Sequence, residues 1–79
     1  MEKVHFNTPY ITLGQLLKMT NVISSGGMAK WFLSENVVYV NGEPEQRRGK
    51  KLYDEDVVNI PGAGKFKLSA DESGQTDAY

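Results

Sequence analysis

The order of hydrophobic and polar residues divides the chain into short strands with two helices between them. Residues 2–7 alternate between polar and apolar types, which predicts a half-buried strand that ends before the first proline. Leu13, Leu16 and Leu17 then repeat at helical spacing and predict a first helix over about residues 12–20.

The helix ends carry recognisable capping residues. Thr12 and Gln15 have the spacing of a capping box, in which each side chain binds the other residue's backbone amide. Ser25 is the expected N-cap of a second helix over about residues 26–35, and Asn36 follows that helix where a left-handed conformation is wanted. The expected buried face of the second helix consists of Met28, Ala29, Phe32 and Leu33.

The second half of the chain predicts strands. Residues 37–40 are β-branched or aromatic, and Asn41 and Gly42 after them form a strong hairpin signal. Further strands are expected at residues 43–45, 57–60 and 65–68. Together these elements predict an α+β fold, in which two short helices pack on one face of a small, mostly antiparallel sheet.

Length and composition narrow the class of protein. The chain has 79 residues, one histidine and no cysteine. We expect a single domain over residues 1–70, followed by a polar, acidic and disordered tail at 71–79. The lack of cysteine excludes disulfides and thiolate metal sites and favours a reducing, cytoplasmic location. No apolar run approaches the roughly 20 residues that span a bilayer, so we expect no membrane association.

The residues for catalysis or metal binding are lacking. His5 lies beside apolar residues in a predicted strand, without a serine–acid pair. Residues 62–65 resemble the end of a phosphate-binding loop but lack its first glycine and the hydroxyl residue after the lysine. Asp54, Glu55 and Asp56 are adjacent in a tight turn and cannot all face one ion. We expect no enzyme activity, no metal site and no cofactor.

Positive charge is concentrated in one segment, residues 46–51, which we call the basic loop. The tail holds three of the ten acidic residues and none of the nine basic ones, so residues 1–70 carry about +2 within a formal net charge of −1. Four of the cations are in the basic loop, at Arg47, Arg48, Lys50 and Lys51. Because phosphate responds to local potential rather than to the whole-chain sum, this loop is a candidate nucleic-acid contact.

The start of the second helix is the other candidate contact. A helix N-terminus presents free amides that suit phosphate, and Gly26 and Gly27 would let a nucleic-acid backbone approach closely. The Ser25 hydroxyl is a further donor, and Lys18 and Lys30 add charge from the two helices. These five residues and the four cations of the basic loop form the predicted RNA-binding set.

A protein-interaction module without nucleic-acid binding is the alternative. Charge runs are usually solvated loops, and acidic residues on both sides of the basic loop could neutralise it. We expect the aromatic side chains of Trp31, Tyr39 and Tyr53 to pack in or beside the core rather than to stack on bases. In this interpretation the region from Trp31 to Tyr39 contacts a protein, and the cations only keep the domain soluble.

Several segments resemble the S4 RNA-binding domain and together cover about residues 12–60. They are residues 13–18, Ser25, Ala29, Lys30, Phe32, Leu33, residues 38–42 and residues 56–58. Residues 26–33 and 47–52 resemble in particular the small stand-alone bacterial S4 proteins of the YaaA type. The resemblance implies an αL/S4-like fold that binds structured RNA through the two helices and the start of the hairpin. It further implies a bacterial protein that holds ribosomal RNA in ribosome maturation or translation. We expect this protein to be a monomer.

Overall fold

The computed structural model describes residues 1–70, which form two helices and seven strands. The helices are α1 (Leu13–Met19) and α2 (Met28–Glu35). The strands are β1 (Glu2–Phe6), β2 (Ile11–Thr12), β3 (Val38–Val40), β4 (Glu43–Glu45), β5 (Lys51–Leu52), β6 (Val57–Ile60) and β7 (Gly64–Ala70). The expected disordered tail at 71–79 lies outside the described residues. Neither helix of the described part has the length and hydrophobicity needed to cross a lipid bilayer.

Five strands form one sheet in the order β1-β7-β6-β3-β4, and β2 pairs with β5 in a separate two-stranded ribbon. The pairs β7–β6, β6–β3 and β3–β4 are antiparallel, whereas β1 runs parallel to β7. Glu2 lies opposite Phe66 and Phe6 opposite Ala70, so β7 continues two residues beyond the predicted strand end at residue 68. The predicted mostly antiparallel sheet is confirmed.

One hydrophobic core joins the helices to the sheet. The three leucines of the predicted α1 stripe are fully buried. Alternate residues of the strands meet them, because side chains on a strand point to opposite faces in turn. The other buried side chains include Ile23, Ala29, Leu33, Val38, Leu52, Val58, Ile60, Phe66 and Leu68. The α+β fold class is therefore confirmed.

The capping box at the start of α1 is confirmed. The Gln15 amide donates to the Thr12 hydroxyl at 3.2 Å, and the Thr12 amide donates to the Gln15 side-chain oxygen at 2.8 Å. Residues close in sequence therefore supply two of the hydrogen bonds at this helix start.

The predicted start of α2 is wrong by two residues. The helix begins at Met28, with Gly27 rather than Ser25 at the N-cap and no side-chain cap bond. Ser25 instead accepts the Met28 amide at its backbone carbonyl, at 3.1 Å. Two consecutive glycines each cost about 1 kcal/mol in a helix, so the helical conformation begins after them. Met28 is consequently 36% exposed rather than part of the buried face.

The predicted left-handed cap at Asn36 is also wrong. Its φ of −137° is extended, and the chain runs directly from α2 toward β3. The Asn36 side chain donates to the Phe32 carbonyl oxygen at 3.0 Å. This carbonyl in the last turn of the helix therefore has a hydrogen-bond partner without a left-handed turn. Among the described residues other than glycine, positive φ values occur instead at Asn21, Asn41 and Glu55.

Candidate nucleic-acid interface

The basic loop is fastened to the start of α1 by backbone hydrogen bonds. The Leu13 amide donates to the Lys50 carbonyl oxygen at 2.9 Å, and the Gly14 amide donates to the Arg48 carbonyl oxygen at 2.9 Å. Amides in the first turn of a helix lack partners within the helix, so the loop satisfies two donors that would otherwise be open. The loop is thereby held in a fixed position beside α1.

Gly14 is the point where the basic loop, α1 and α2 converge. A Cβ atom placed on Gly14 would lie 3.4 Å from the Arg48 carbonyl oxygen, 3.5 Å from the Arg48 Cβ and 3.6 Å from the Ala29 Cβ. Ala29 is buried in the first turn of α2. The start of α2 and the basic loop therefore lie side by side, as a single cationic surface requires.

A surface cleft of about 380 Å³ lies at this junction, and we call it the helix cleft. Its lining residues are Thr12, Gly14, Gln15, Lys18, Gly26, Ala29, Arg48 and Gly49. The cleft brings together three members of the predicted RNA-binding set that come from separate segments, namely Lys18, Gly26 and Arg48. Ser25 and Gly27 are exposed on either side of Gly26, and Lys30 is exposed on α2, but none of the three lines the cleft.

Arg47 is engaged by an acidic neighbour. Its guanidinium donates to both oxygens of the Glu45 carboxylate at 2.9 and 3.2 Å, and its backbone amide donates to the same carboxylate at 3.0 Å. The hydrogen bond from the Arg47 side chain is the main cause that lowers the pKa of Glu45 from 4.5 to about 2. The same contact raises the pKa of Arg47. Arg47 is therefore partly neutralised and is not among the residues that line the helix cleft.

Lys50 and Lys51 line a second cleft together with Tyr53. We call it the acidic cleft, because Glu43, Glu45 and Asp56 line it together with the two lysines. Neither lysine makes an ion pair within residues 1–70. The four cations of the basic loop are thus divided, with Arg48 in the helix cleft and Lys50 and Lys51 in the acidic cleft.

The acidic side chains of the turn at residues 54–56 bind other groups of the domain. Asp54 accepts the Ala70 amide at 2.8 Å, and Asp56 accepts the Tyr53 amide at 2.8 Å and the Asn41 side chain at 3.0 Å. Glu55 pairs with Lys67 at 3.1 Å. Within residues 1–70, no group of three or more histidine, aspartate or glutamate side chains comes together to hold a metal ion.

The packing predicted for the aromatic side chains is wrong. Trp31 is 59% exposed, Tyr53 49% and Tyr39 40%. The buried stripe of α2 passes through Ala29 and Leu33 and leaves Trp31 outside, while Tyr39 lies between two buried valines of β3 and faces outward. Tyr10, absent from the predicted site, is also exposed and lies with its ring centroid 5.9 Å from that of Tyr53.

The helix pair, the hairpin after it and the loop that returns to α1 together form a small α+β domain. The family model described as S4 domain matches residues 4–68, and the chain belongs to this family. The resemblance of the sequence to the S4 domain, an RNA-binding domain, is confirmed.

A relative with a more specific description is found in Bacillus subtilis (strain 168). This protein is named "Probable ribosome maturation protein RlbA" and is 60% identical to the chain over 65 residues. The match covers 82% of the chain and 92% of the relative.

Proposed function

We propose that residues 1–70 act as one non-catalytic domain that binds structured RNA, and that ribosomal RNA is the target during ribosome maturation. The observation that carries this proposal is the helix cleft, where Lys18, Gly26 and Arg48 meet although they lie on three separate segments of the chain. The name of the Bacillus subtilis relative supports the ribosomal setting.

The chemistry of the helix cleft suits a phosphate backbone. Arg48 can hold phosphate with two parallel hydrogen bonds, and Lys18 adds a mobile ammonium group. The Met28 and Ala29 amides at the start of α2 already donate to the Ser25 and Gly26 carbonyl oxygens, at 3.1 and 3.2 Å, so α2 contributes the positive end of its helix dipole rather than these two donors. None of the residues that line the cleft in the described part of the chain is acidic. The acidic cleft, by contrast, places its two lysines among carboxylates.

We assign the remaining residues of the predicted RNA-binding set to contacts outside the helix cleft. Lys30 and the Ser25 hydroxyl extend the surface along α2, and Lys50 and Lys51 contact phosphates farther out. The three inner cations, Lys18, Lys30 and Arg48, would give a slope of about −2 to −3 for the logarithm of affinity against the logarithm of salt concentration. Engagement of Arg47, Lys50 and Lys51 as well would steepen the slope to about −4 to −5. Since recognition of this kind reads the backbone, we expect RNA shape rather than base sequence to select the target.

A charge-reversal pair tests the proposal. The double variant Lys18→Glu/Arg48→Glu should lose most of its affinity for purified ribosomal RNA in a filter-binding titration. A matched control, Lys3→Glu/Lys65→Glu, changes net charge equally at exposed strand positions that do not line the helix cleft. Equal losses in the two variants would show that total charge, rather than the cleft, governs binding.

Protein interaction is the second candidate function, and the exposure of Trp31 and Met28 on α2 favours it. Trp31→Ala distinguishes the two functions when binding to naked RNA and to ribosomal particles is compared. Loss of particle binding with unchanged RNA affinity would assign this face of α2 to a protein contact.

A further inference from the structure

The ribbon formed by β2 and β5 carries an outward face that borders the helix cleft at Thr12. Ile11 lies opposite Leu52 and Thr12 opposite Lys51. Ile11 and Leu52 are buried, so the residues that flank them on each strand point away from the core. This face presents two tyrosines and a lysine, at Tyr10, Tyr53 and Lys51.

These three side chains form one exposed cluster, which we call the tyrosine platform. The rings of Tyr10 and Tyr53 pack with a centroid distance of 5.9 Å and an interplanar angle of 53°. The Lys51 ammonium lies 4.9 Å from the centroid of Tyr10. Tyr10 is 37% exposed and Tyr53 49%, so about half of the Tyr53 side chain remains open to solvent.

The tyrosine platform is continuous with the helix cleft. Thr12 is the register partner of Lys51 on the ribbon, and Thr12 also lines the helix cleft. A nucleic-acid strand with its phosphates in the helix cleft would therefore pass next to the platform. Lys51 and Tyr53 also line the acidic cleft, so the platform lies between the two clefts, and the open ring of Tyr53 would meet the base that adjoins the phosphates held in the helix cleft.

We propose that Tyr53, supported by Tyr10 and Lys51, stacks on an unpaired base of the bound RNA. The preferred target is then a helix with a bulged or unstacked nucleotide beside the phosphates held in the helix cleft. Aromatic side chains next to a cation are the usual stacking partners of unpaired bases, which expose a ring face that a continuous duplex conceals. This inference rests on the proposed RNA-binding function and adds the kind of RNA that is recognised.

The experiment compares two RNA hairpins of the same stem sequence, one with a single bulged adenosine and one fully paired. Affinities are measured by filter binding for the full chain and for three double or single variants. Tyr10→Leu/Tyr53→Leu removes the rings but keeps apolar side chains, whereas Tyr10→Phe/Tyr53→Phe keeps both rings. Tyr39→Leu is the matched control, because Tyr39 is exposed to a similar degree on β3 and outside the ribbon.

We expect the unaltered protein to bind the bulged hairpin more tightly, by roughly 5- to 150-fold, as stacking of one base permits. The leucine double variant should lose this preference and still bind the paired hairpin, while the phenylalanine variant and Tyr39→Leu should keep it. An unchanged preference in the leucine variant, a loss in Tyr39→Leu, or equal affinity of the unaltered protein for both hairpins would overturn the inference. Failure of the unaltered protein to bind either hairpin or ribosomal RNA would overturn the proposed function itself.

Discussion

Two adjacent arginines should contribute unequally to RNA binding, although the sequence makes them equivalent. Arg47 already satisfies its guanidinium on Glu45, and it must exchange a carboxylate for a phosphate to bind RNA. Arg48 lines the helix cleft, and its guanidinium makes no ion pair within residues 1–70. A hydrogen bond to a charged group contributes about 1.5–3 kcal/mol, so Arg48→Ala should weaken binding by roughly 10- to 150-fold. The salt slope should also fall by about 0.7–0.9, the value for one phosphate contact.

The matched change at Arg47 has to remove its partner as well, because Arg47→Ala alone would leave the Glu45 carboxylate unpaired beside the RNA. We therefore expect Arg47→Ala/Glu45→Ala to bind ribosomal RNA with nearly unchanged affinity. Titrations at several salt concentrations between about 50 and 200 mM give both the affinity and the slope. Thermal unfolding of each variant verifies that it is folded. A larger loss for the Arg47 pair than for Arg48→Ala would refute the assignment of Arg48 to the phosphate site.

Three further predictions concern stability. Thr12→Ala removes the acceptor of the Gln15 amide and should lower the free energy of unfolding by about 1 kcal/mol, measured by urea denaturation. Asn41→Ala removes two side-chain hydrogen bonds that tie the hairpin to β6 and the acidic turn, and it leaves alanine at a φ of 52°. The free energy of unfolding should fall by about 1–3 kcal/mol in the same assay, and an unchanged denaturation midpoint would contradict this prediction. The pKa of Glu45 is about 2 in the folded protein against 4.5 ordinarily, so its pairing stabilises the fold fully above about pH 4.5 and this contribution is lost as pH falls toward 2. Thermal melts at pH 6 and pH 3 should show a smaller acid destabilisation in Arg47→Ala than in the unaltered protein.

Much of the fold could be predicted because its signals are local. The spacing of the α1 leucines, the capping box at Thr12 and the Asn41–Gly42 turn each act within a few residues. The start of α2 was misplaced because Ser25 is a good N-cap by type, whereas the two glycines after it decide where the helix begins. The β2–β5 ribbon could not be predicted, since residues 11–12 and 51–52 are too short for a strand pattern and are separated by about half of the chain.

The site was predictable in its parts but not in its arrangement. Charge clustering identifies the basic loop, yet no sequence rule divides it between two clefts or pairs Arg47 with Glu45. That division depends on the two backbone bonds that fix the loop to α1. Tyr10 was missed for a similar reason, because its contact with Tyr53 exists only when β2 and β5 are paired. Alternation around the apolar residues Ile11 and Leu52 was the available signal for the outward direction of both tyrosines.

The parallel pairing of β1 with β7 sets the order in which the molecule can fold. Glu2 lies opposite Phe66, so this pairing closes a loop that includes almost every described residue. Closure over such a separation has a high entropic cost and slows folding, whereas the β3–β4 and β6–β7 hairpins form between neighbours. We expect the hairpins and the helix pair to assemble first and the β1 edge to dock last. Amides of β1 should accordingly exchange with solvent sooner than those of β6, which lies between two partner strands.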